Sequence, residues 1–224
     1  MRDSLGLMLR NSLAVGPVGC NCTVVACPLT REALLVDPGG DAERILALLG
    51  RMSAQVVGIV HTHGHFDHIL ATREVAAATG APISIHGGDL DLYRGLARQA
   101  RHFDLVAEKP PEPAQILAGD ETLSFGQFHA RVLHTPGHTP GSVGFFIEAT
   151  GGPPLLLAGD TLFAGGIGRT DFPGGSSKRI LRSIRDTLFA LPDETVVVPG
   201  HGPETTIGEE REHNPYVGRL ASGG

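Results

Sequence analysis

Eight residues, "HTHGHFDH" from His61 to His68, hold four histidines and one aspartate. Imidazoles at this density repel one another when protonated and lose solvation when packed, so a purpose is expected. Binding of divalent metal is the chemistry that neutral imidazole and carboxylate serve together. Three further turns carry the same residue types: "HTPGH" ending at His138, "AGD" ending at Asp160 and "VPGH" ending at His201. The candidate ligands are therefore His63, His65, Asp67, His68, His138, Asp160 and His201. A single catalytic zinc takes three protein ligands plus water, so seven donors exceed one ion. They fit two ions with three private ligands each and one shared carboxylate. His63 and His65, two apart on an extended loop, aim at one ion. Asp67 and His68, in the first turn of the next helix, aim at its neighbour.

The elements that must position these side chains are apolar and strand-like. "VVGIV", "ARVL", "PLLLAG" and "TVVVPG" each run straight into one of the four turns. Rigid strands ending at one rim of a sheet let ligands from distant parts of the chain converge. Gly64, Gly137, Gly159 and Gly200 in those turns permit unusual backbone angles and close approach.

Elsewhere, "CNCTVVACP" and "EALLVDPGG" read as strands with a hairpin-like break at Leu29 to Arg31. "DAERILALLGRM" reads as a helix capped by Asp41, "DHILATREVAAATG" as a helix and "PISIH" as a strand. A further helix is expected from about Asp89 to Ala100, then an exposed loop from Phe103 to Gln115. Short strands follow in "ETLSF", "HARVLHT" and "SVGFFIE". "SSKRILRSIRDTLFALP" is an amphipathic helix with Ser176 or Ser177 as its cap and Pro192 as its stop. Strands mixed with helices throughout predict an α/β fold of sheets covered by helices. No low-complexity linker divides the chain, so residues 1–224 read as one domain, with 1–10 as a flexible tail.

Composition narrows the function classes. With 224 residues the chain is long enough to bury a sizeable core. The formal charge of −6, with no basic stripe, argues against a nucleic-acid partner. No run approaches the roughly 20 apolar residues of a membrane span. The N-terminus has an acid at position 3 and makes a poor signal peptide, which leaves the cytoplasm as the expected location. Cys20, Cys22 and Cys27 are odd in number and confined to one segment, unlike a disulfide framework. "CNC" reads either as a metal-binding pair or as part of a buried strand.

"THGHFDH" has the THxHxDH form of the metallo-β-lactamase superfamily, and "TPGHTPGS", "AGDTLF" and "VVPGHG" resemble its remaining motifs in order. The resemblance spans about Gly16 to Tyr216. It implies a four-layer αββα sandwich with a binuclear site at the rim between two sheets. On this pattern His63, His65 and His138 hold one metal, Asp67, His68 and His201 the other, and Asp160 bridges. His61 and His134 fall outside the ligand pattern and are expected to be structural or to support the ligands.

"VGPVGCNCTVV", "VDPGGD", "GGIGRTDFPGG" and "PGHGPETTIGEEREHNPY" are similar to the short glyoxalase II-like hydrolases. That implies a thioesterase cleaving S-acyl-glutathione or a related small-molecule thioester with a metal-bridging hydroxide, held by Asp67 and Asp160. The metals are two divalent ions, zinc first, with iron or manganese also compatible with these ligands. Longer glyoxalase II enzymes carry a helical C-terminal region for glutathione, whereas only 23 residues follow His201 here. Arg169 and Asp171 stand where a lysine and a tyrosine are expected. Arg169 is read either as a clamp for a substrate carboxylate or as a structural partner of Asp171. The alternative activity is a mononuclear Fe(II) persulfide dioxygenase using His63, His138 and Asp160.

Overall fold

Strands covered on both faces read as continuous apolar runs, and the inner strands of this chain, such as residues 20–26, 32–36, 143–147 and 155–159, are of that kind. The computed structural model describes residues 7–148 and 151–219. The first sheet contains β1 (Leu9–Val15), β2 (Cys20–Ala26), β3 (Glu32–Val36), β4 (Gln55–Val60), β5 (Ile83–His86) and β6 (Gln115–Leu117), side by side in that order. Pairing is antiparallel from β1 to β3 and parallel from β3 to β6. Next along the chain come β7 (Thr122–Phe125), β8 (Phe128–His134), β9 (Val143–Ile147) and β10 (Leu155–Gly159). A small hairpin of β11 (Leu162–Phe163) and β12 (Gly166–Ile167) precedes β13 (Val196–Pro199) and β14 (Thr205–Thr206). The second sheet has the order β14-β13-β10-β9-β8-β7, with only β10 and β13 parallel.

Alternation along each strand divides the core into three layers. Val25, Leu34, Val36 and Val60 of the first sheet meet Phe125, Val132, Phe145, Leu157 and Val198 of the second. The opposite faces of the same strands point outward. Cys20, Cys22, Val24, Ala33, Leu35 and Ile59 pack under helices of the first sheet. These helices are α1 (Ala42–Met52), α2 (Phe66–Ile69), α3 (Thr72–Thr79), α4 (Leu90–Arg94) and α5 (Leu96–Arg101). Phe146, Leu156 and Val197 pack under α6 (Ser177–Arg182), its continuation to Ala190, and α7 (Ile207–His213). The layers run helix, sheet, sheet, helix, as the sequence predicts. "CNC" is strand: Cys20 and Cys22 are buried on one face of β2, and all three cysteines are free. Among the described residues no helix is long and apolar enough to cross a membrane.

Several local expectations are corrected. Leu9 and Arg10, placed in the expected tail, pair with Ala26 and Val25 in β1, and residues 1–6 lie outside the described residues. The helix expected through "DHILATREVAAATG" is two helices, because the Ala71 N–H donates to the Pro38 carbonyl at 2.9 Å rather than continuing the first. The helix expected over 89–100 breaks at Gly95, which leaves helical geometry to end α4 and begin α5. Asp41 is the N-cap residue of α1, but its side chain does not cap the helix. Its φ is +51°, and its carboxylate accepts instead from the Gly16 N–H and the Arg44 guanidinium. Ser176 rather than Ser177 is the cap of α6, accepting from the Arg179 N–H.

Candidate metal centre

The four ligand-bearing turns meet at one rim of the sandwich. β4 ends at Val60 before the histidine-rich loop, β8 ends at His134 before "TPGH", β10 ends at Gly159 and β13 at Pro199. Two of the turn glycines have positive φ, Gly137 at +144° and Gly159 at +51°. Gly200 is required for closeness instead: a Cβ there would lie 2.0 Å from Asp160 Oδ1.

Four overlapping sets of three donors gather here: two match the expected ligand groups, a third, His63, His68 and Asp160, links them, and the fourth is Cys20, Asp37 and His68 behind the centre. His63, His65 and His138 bring one donor atom each within 4.8 Å of one another, and so do Asp67, His68 and His201. Asp160 lies between the groups. Its Oδ1 is 3.5 Å from His68 Nε2, and its Oδ2 is 3.6 Å from His138 Nε2 and 3.9 Å from His201 Nε2. Asp67 Oδ2 is 3.1 Å from His201 Nε2 and 3.7 Å from His68 Nε2.

The far side of three rings is held by hydrogen bonds that leave Nε2 facing the centre. His68 Nδ1 donates to Asp37 Oδ2 at 2.9 Å, His138 Nδ1 to the Arg169 carbonyl at 2.8 Å and His201 Nδ1 to the Val18 carbonyl at 3.2 Å. Such partners fix the tautomer and the ring orientation of a metal-binding histidine. Sequence reasoning passed over Asp37, which is buried and has a φ of +52°. Besides His68, it accepts from the Thr62 N–H at 2.8 Å and the Thr62 hydroxyl at 2.6 Å. The one available signal was that "VDPGG" ends an apolar strand just as the ligand turns do.

The donor set fits bound cations. His63 Nε2 and Asp160 Oδ1 are buried with no hydrogen-bond partner. The Nε2 atoms of His68 and His201 face each other at 3.3 Å although each ring spends its proton on the opposite side. Two lone pairs so placed call for a positive charge between them. Burial keeps His63 neutral by pushing its pKa well down, and burial beside His138 takes His65 to about 3. Burial acts the same way on His68 and His201, but Cys20, Asp160 and Asp37 around His68, and Asp67 and Asp160 around His201, outweigh it and raise both, so the surroundings favour positive charge at these nitrogens. Burial works against ionisation of Asp67, yet His201 and His68 hold its pKa near 2.

The remaining candidates have other partners. His61 is fully buried behind Asp37, its Nε2 is 3.3 Å from the Thr72 hydroxyl, and burial lowers its pKa to about 4. His134 Nε2 donates to the Pro140 carbonyl at 3.0 Å, and its ring stacks on His86. The Arg169 guanidinium binds both oxygens of Asp171, at 3.0 and 2.8 Å, and lies over the Phe172 ring at 4.3 Å. Phe172 in turn meets His65 edge-on, with ring centroids 5.4 Å apart. Cys20 Sγ lies 3.5 Å from His68 Nδ1, and burial pushes that thiol up to about 12.

Comparison with known proteins agrees with this fold. The family model of the metallo-beta-lactamase superfamily matches residues 15–201, and the chain belongs to that superfamily. It is 35% identical to the probable metallo-hydrolase YqgX of Bacillus subtilis, over 92% of this chain and 95% of that one. It is 36% identical to the hydroxyacylglutathione hydrolase GloC of Haemophilus influenzae, over 84% of this chain and 88% of that one. Among solved structures, BLEG-1 B3 metallo-beta-lactamase superposes with a TM-score of 0.85 at 36% identity, covering 93% of this chain and 99% of that chain. TTHA1623 in a di-iron-bound form gives 0.82 at 38% identity, covering 92% and 99%. ETHE1 from Myxococcus xanthus gives 0.76 at 28% identity, covering 94% and 84%.

Proposed function

We propose that this protein is a binuclear metal-dependent hydrolase of thioesters, glyoxalase II-like in its chemistry, acting on S-acyl-glutathione or a related small thioester. The observation that carries the reading is the pair of three-donor groups with Asp160 between them. His63, His65 and His138 are assigned to one ion, Asp67, His68 and His201 to the other, and Asp160 to both. Zinc is the metal assigned, since it takes nitrogen and carboxylate donors. The likeness to a hydroxyacylglutathione hydrolase and to a probable metallo-hydrolase supports the reaction class. Three free cysteines fit a reducing cytosol.

Divalent ions bound at such a centre supply Lewis acidity and a water that ionises near neutral pH. The chain's own contribution is to place and hold groups around them. Asp67, kept ionised by His201 and His68, accepts the proton-bearing side of the attacking water and orients it. Asp160 fixes the spacing between the two histidine groups. A thiolate departs without a proton, so no general acid is needed on the leaving side. Phe172, 37% exposed, and Val18, 50% exposed, stand at the mouth and offer apolar contact to the acyl or thiol portion. Arg169 enters through its carbonyl, which holds His138, and through the Phe172 ring beneath its guanidinium.

The second reading is a mononuclear Fe(II) persulfide dioxygenase on His63, His138 and Asp160; the TTHA1623 relative binds iron, the metal of this reading, but as two ions. One experiment separates the two. Metal content is measured on protein purified without added metal, alongside hydrolysis of S-lactoylglutathione and simpler thioesters and oxygen uptake with glutathione persulfide. The hydrolase reading expects about two ions per chain and turnover of thioesters. Oxygen uptake with negligible thioester hydrolysis at full metal loading rejects it.

A further inference from the structure

We propose that the buried carboxylate of Asp89 is a positioning residue that clasps the two loops bearing His63, His65 and His138, and so sets metal affinity at that group and not at its neighbour. The inference rests on the assignment of those three histidines to one ion.

Asp89 closes a single 3-10 turn, Gly87–Asp89, just after β5, and is fully buried. Its Oδ2 accepts from the Gly64 N–H at 2.9 Å and from the Thr139 hydroxyl at 2.7 Å. Its Oδ1 accepts from the Gly141 N–H at 2.6 Å. Gly64 is the residue between His63 and His65, and Thr139 directly follows His138. The first loop leaves β4 in one sheet, and the second leaves β8 in the other. One side chain thus ties the two sheets together at the point where three ligands converge.

Gly64 and Gly141 leave no room for side chains of their own against Asp89. A Cβ on Gly141 would lie 2.6 Å from the Asp89 nitrogen, and one on Gly64 would lie 2.9 Å from the Asp89 carbonyl oxygen and 2.8 Å from Leu92 Cβ. Gln99 of α5 braces the first loop from behind. Its amide donates to the Gly64 carbonyl at 2.9 Å, and its oxygen accepts from the Phe66 N–H at 3.2 Å. The second donor group hangs on different supports, Asp37 for His68 and the Val18 carbonyl for His201. A loss at Asp89 is therefore expected to act on one ion.

Asp89→Asn puts an amide N–H against a backbone N–H whichever way it turns, because each carboxylate oxygen already takes one. Thr139→Val removes one of the three donors at nearly constant volume, and Thr139→Ser keeps it. The test strips the protein of metal and titrates cobalt(II) by equilibrium dialysis, with metal count and visible absorption as readouts. It is done in two backgrounds, His201→Ala, which isolates the His63 group, and His138→Ala, which isolates the His68 group. Asp89→Asn is expected to weaken cobalt binding about 10–100-fold in the first background, the range for partners that orient metal ligands, and to leave the second unchanged. Thr139→Val is expected to show a smaller loss with the same selectivity, and Thr139→Ser to restore binding. Equal weakening in both backgrounds, or none in either, overturns the inference while the metal assignment stands. If His138→Ala holds as many ions as the unmodified protein, the assignment itself is wrong and the inference falls with it.

Discussion

Replacing Asp37 with asparagine changes one oxygen for an amide nitrogen and almost nothing else, yet the hydrogen bonds around it predict a specific loss. Oδ1 of Asp37 accepts from the Thr62 N–H, while Oδ2 accepts from both the Thr62 hydroxyl and His68 Nδ1. With the asparagine oxygen toward Thr62 N–H, the amide faces His68 Nδ1. The hydroxyl can rotate to accept, but the imidazole can accept only by moving its proton to Nε2. That atom faces Asp67, Asp160 and His201 and must be free to bind a cation. Turned the other way, the amide leaves a buried backbone N–H without an acceptor, at a cost of about 1–3 kcal/mol. Loss of a partner that orients a metal-binding histidine costs about 10–100-fold in affinity, or about 1.4–2.7 kcal/mol. The two penalties are similar in size, so Asp37→Asn is expected to show both. Metal titration followed by count should find one ion weakened at least about tenfold. Denaturant unfolding of the metal-free protein should show a loss of no more than about 3 kcal/mol. Wild-type affinity for both ions in Asp37→Asn would refute the claim that Asp37 sets the His68 tautomer.

Arg169→Ala is expected to change KM for an anionic thioester less than about threefold, because the guanidinium is already satisfied by Asp171 in an exposed, solvent-screened pair. A rise of a hundredfold in KM would show that Arg169 clamps a substrate carboxylate. Glu121 accepts from the backbone N–H groups of Ala118, Gly119 and Asp120, and despite the opposing effect of partial burial these bonds lower its pKa from 4.5. Its contribution to stability is therefore present above about pH 4.5 and lost as pH falls through the folded value. Glu121→Gln should be less stable than wild type at pH 7, with the gap closing as pH falls below about 4.5, and a gap independent of pH would count against this. Chelation should lower the melting temperature as well as activity, since ions that bind only the folded chain stabilise it by mass action. An unchanged melting temperature after verified metal removal would mean the donors are not linked to folding.

The ligand-bearing turns were legible because each follows a short apolar run ended by a turn that carries Gly or Pro, and β4, β8, β10 and β13 match those runs. β1 was not legible for the opposite reason: most of "LRNSLAV" is exposed at a sheet edge, so its apolar signal is thin. α7 had a signal that went unread, Thr206 three residues before Glu209, and in the structure the Thr206 hydroxyl accepts from the Glu209 N–H. Asp89 carries no such signal, and Asp37 carries only its place at the end of an apolar strand, for a deeper reason. Their partners lie 25 to 52 residues away, and half of them are backbone N–H groups, which every residue type but proline supplies. Arg169 shows the same limit, because what it gives the centre is a carbonyl oxygen rather than its charged side chain.

The central claim is that two ions share this rim through one carboxylate. A crystal of protein reconstituted with excess zinc, measured at the zinc absorption edge, tests it by anomalous scattering. The account predicts two peaks, one among His63, His65 and His138 and one among Asp67, His68 and His201, with Asp160 reaching both. A single fully occupied peak, with Asp67, His68 and His201 turned away from it, would contradict the account.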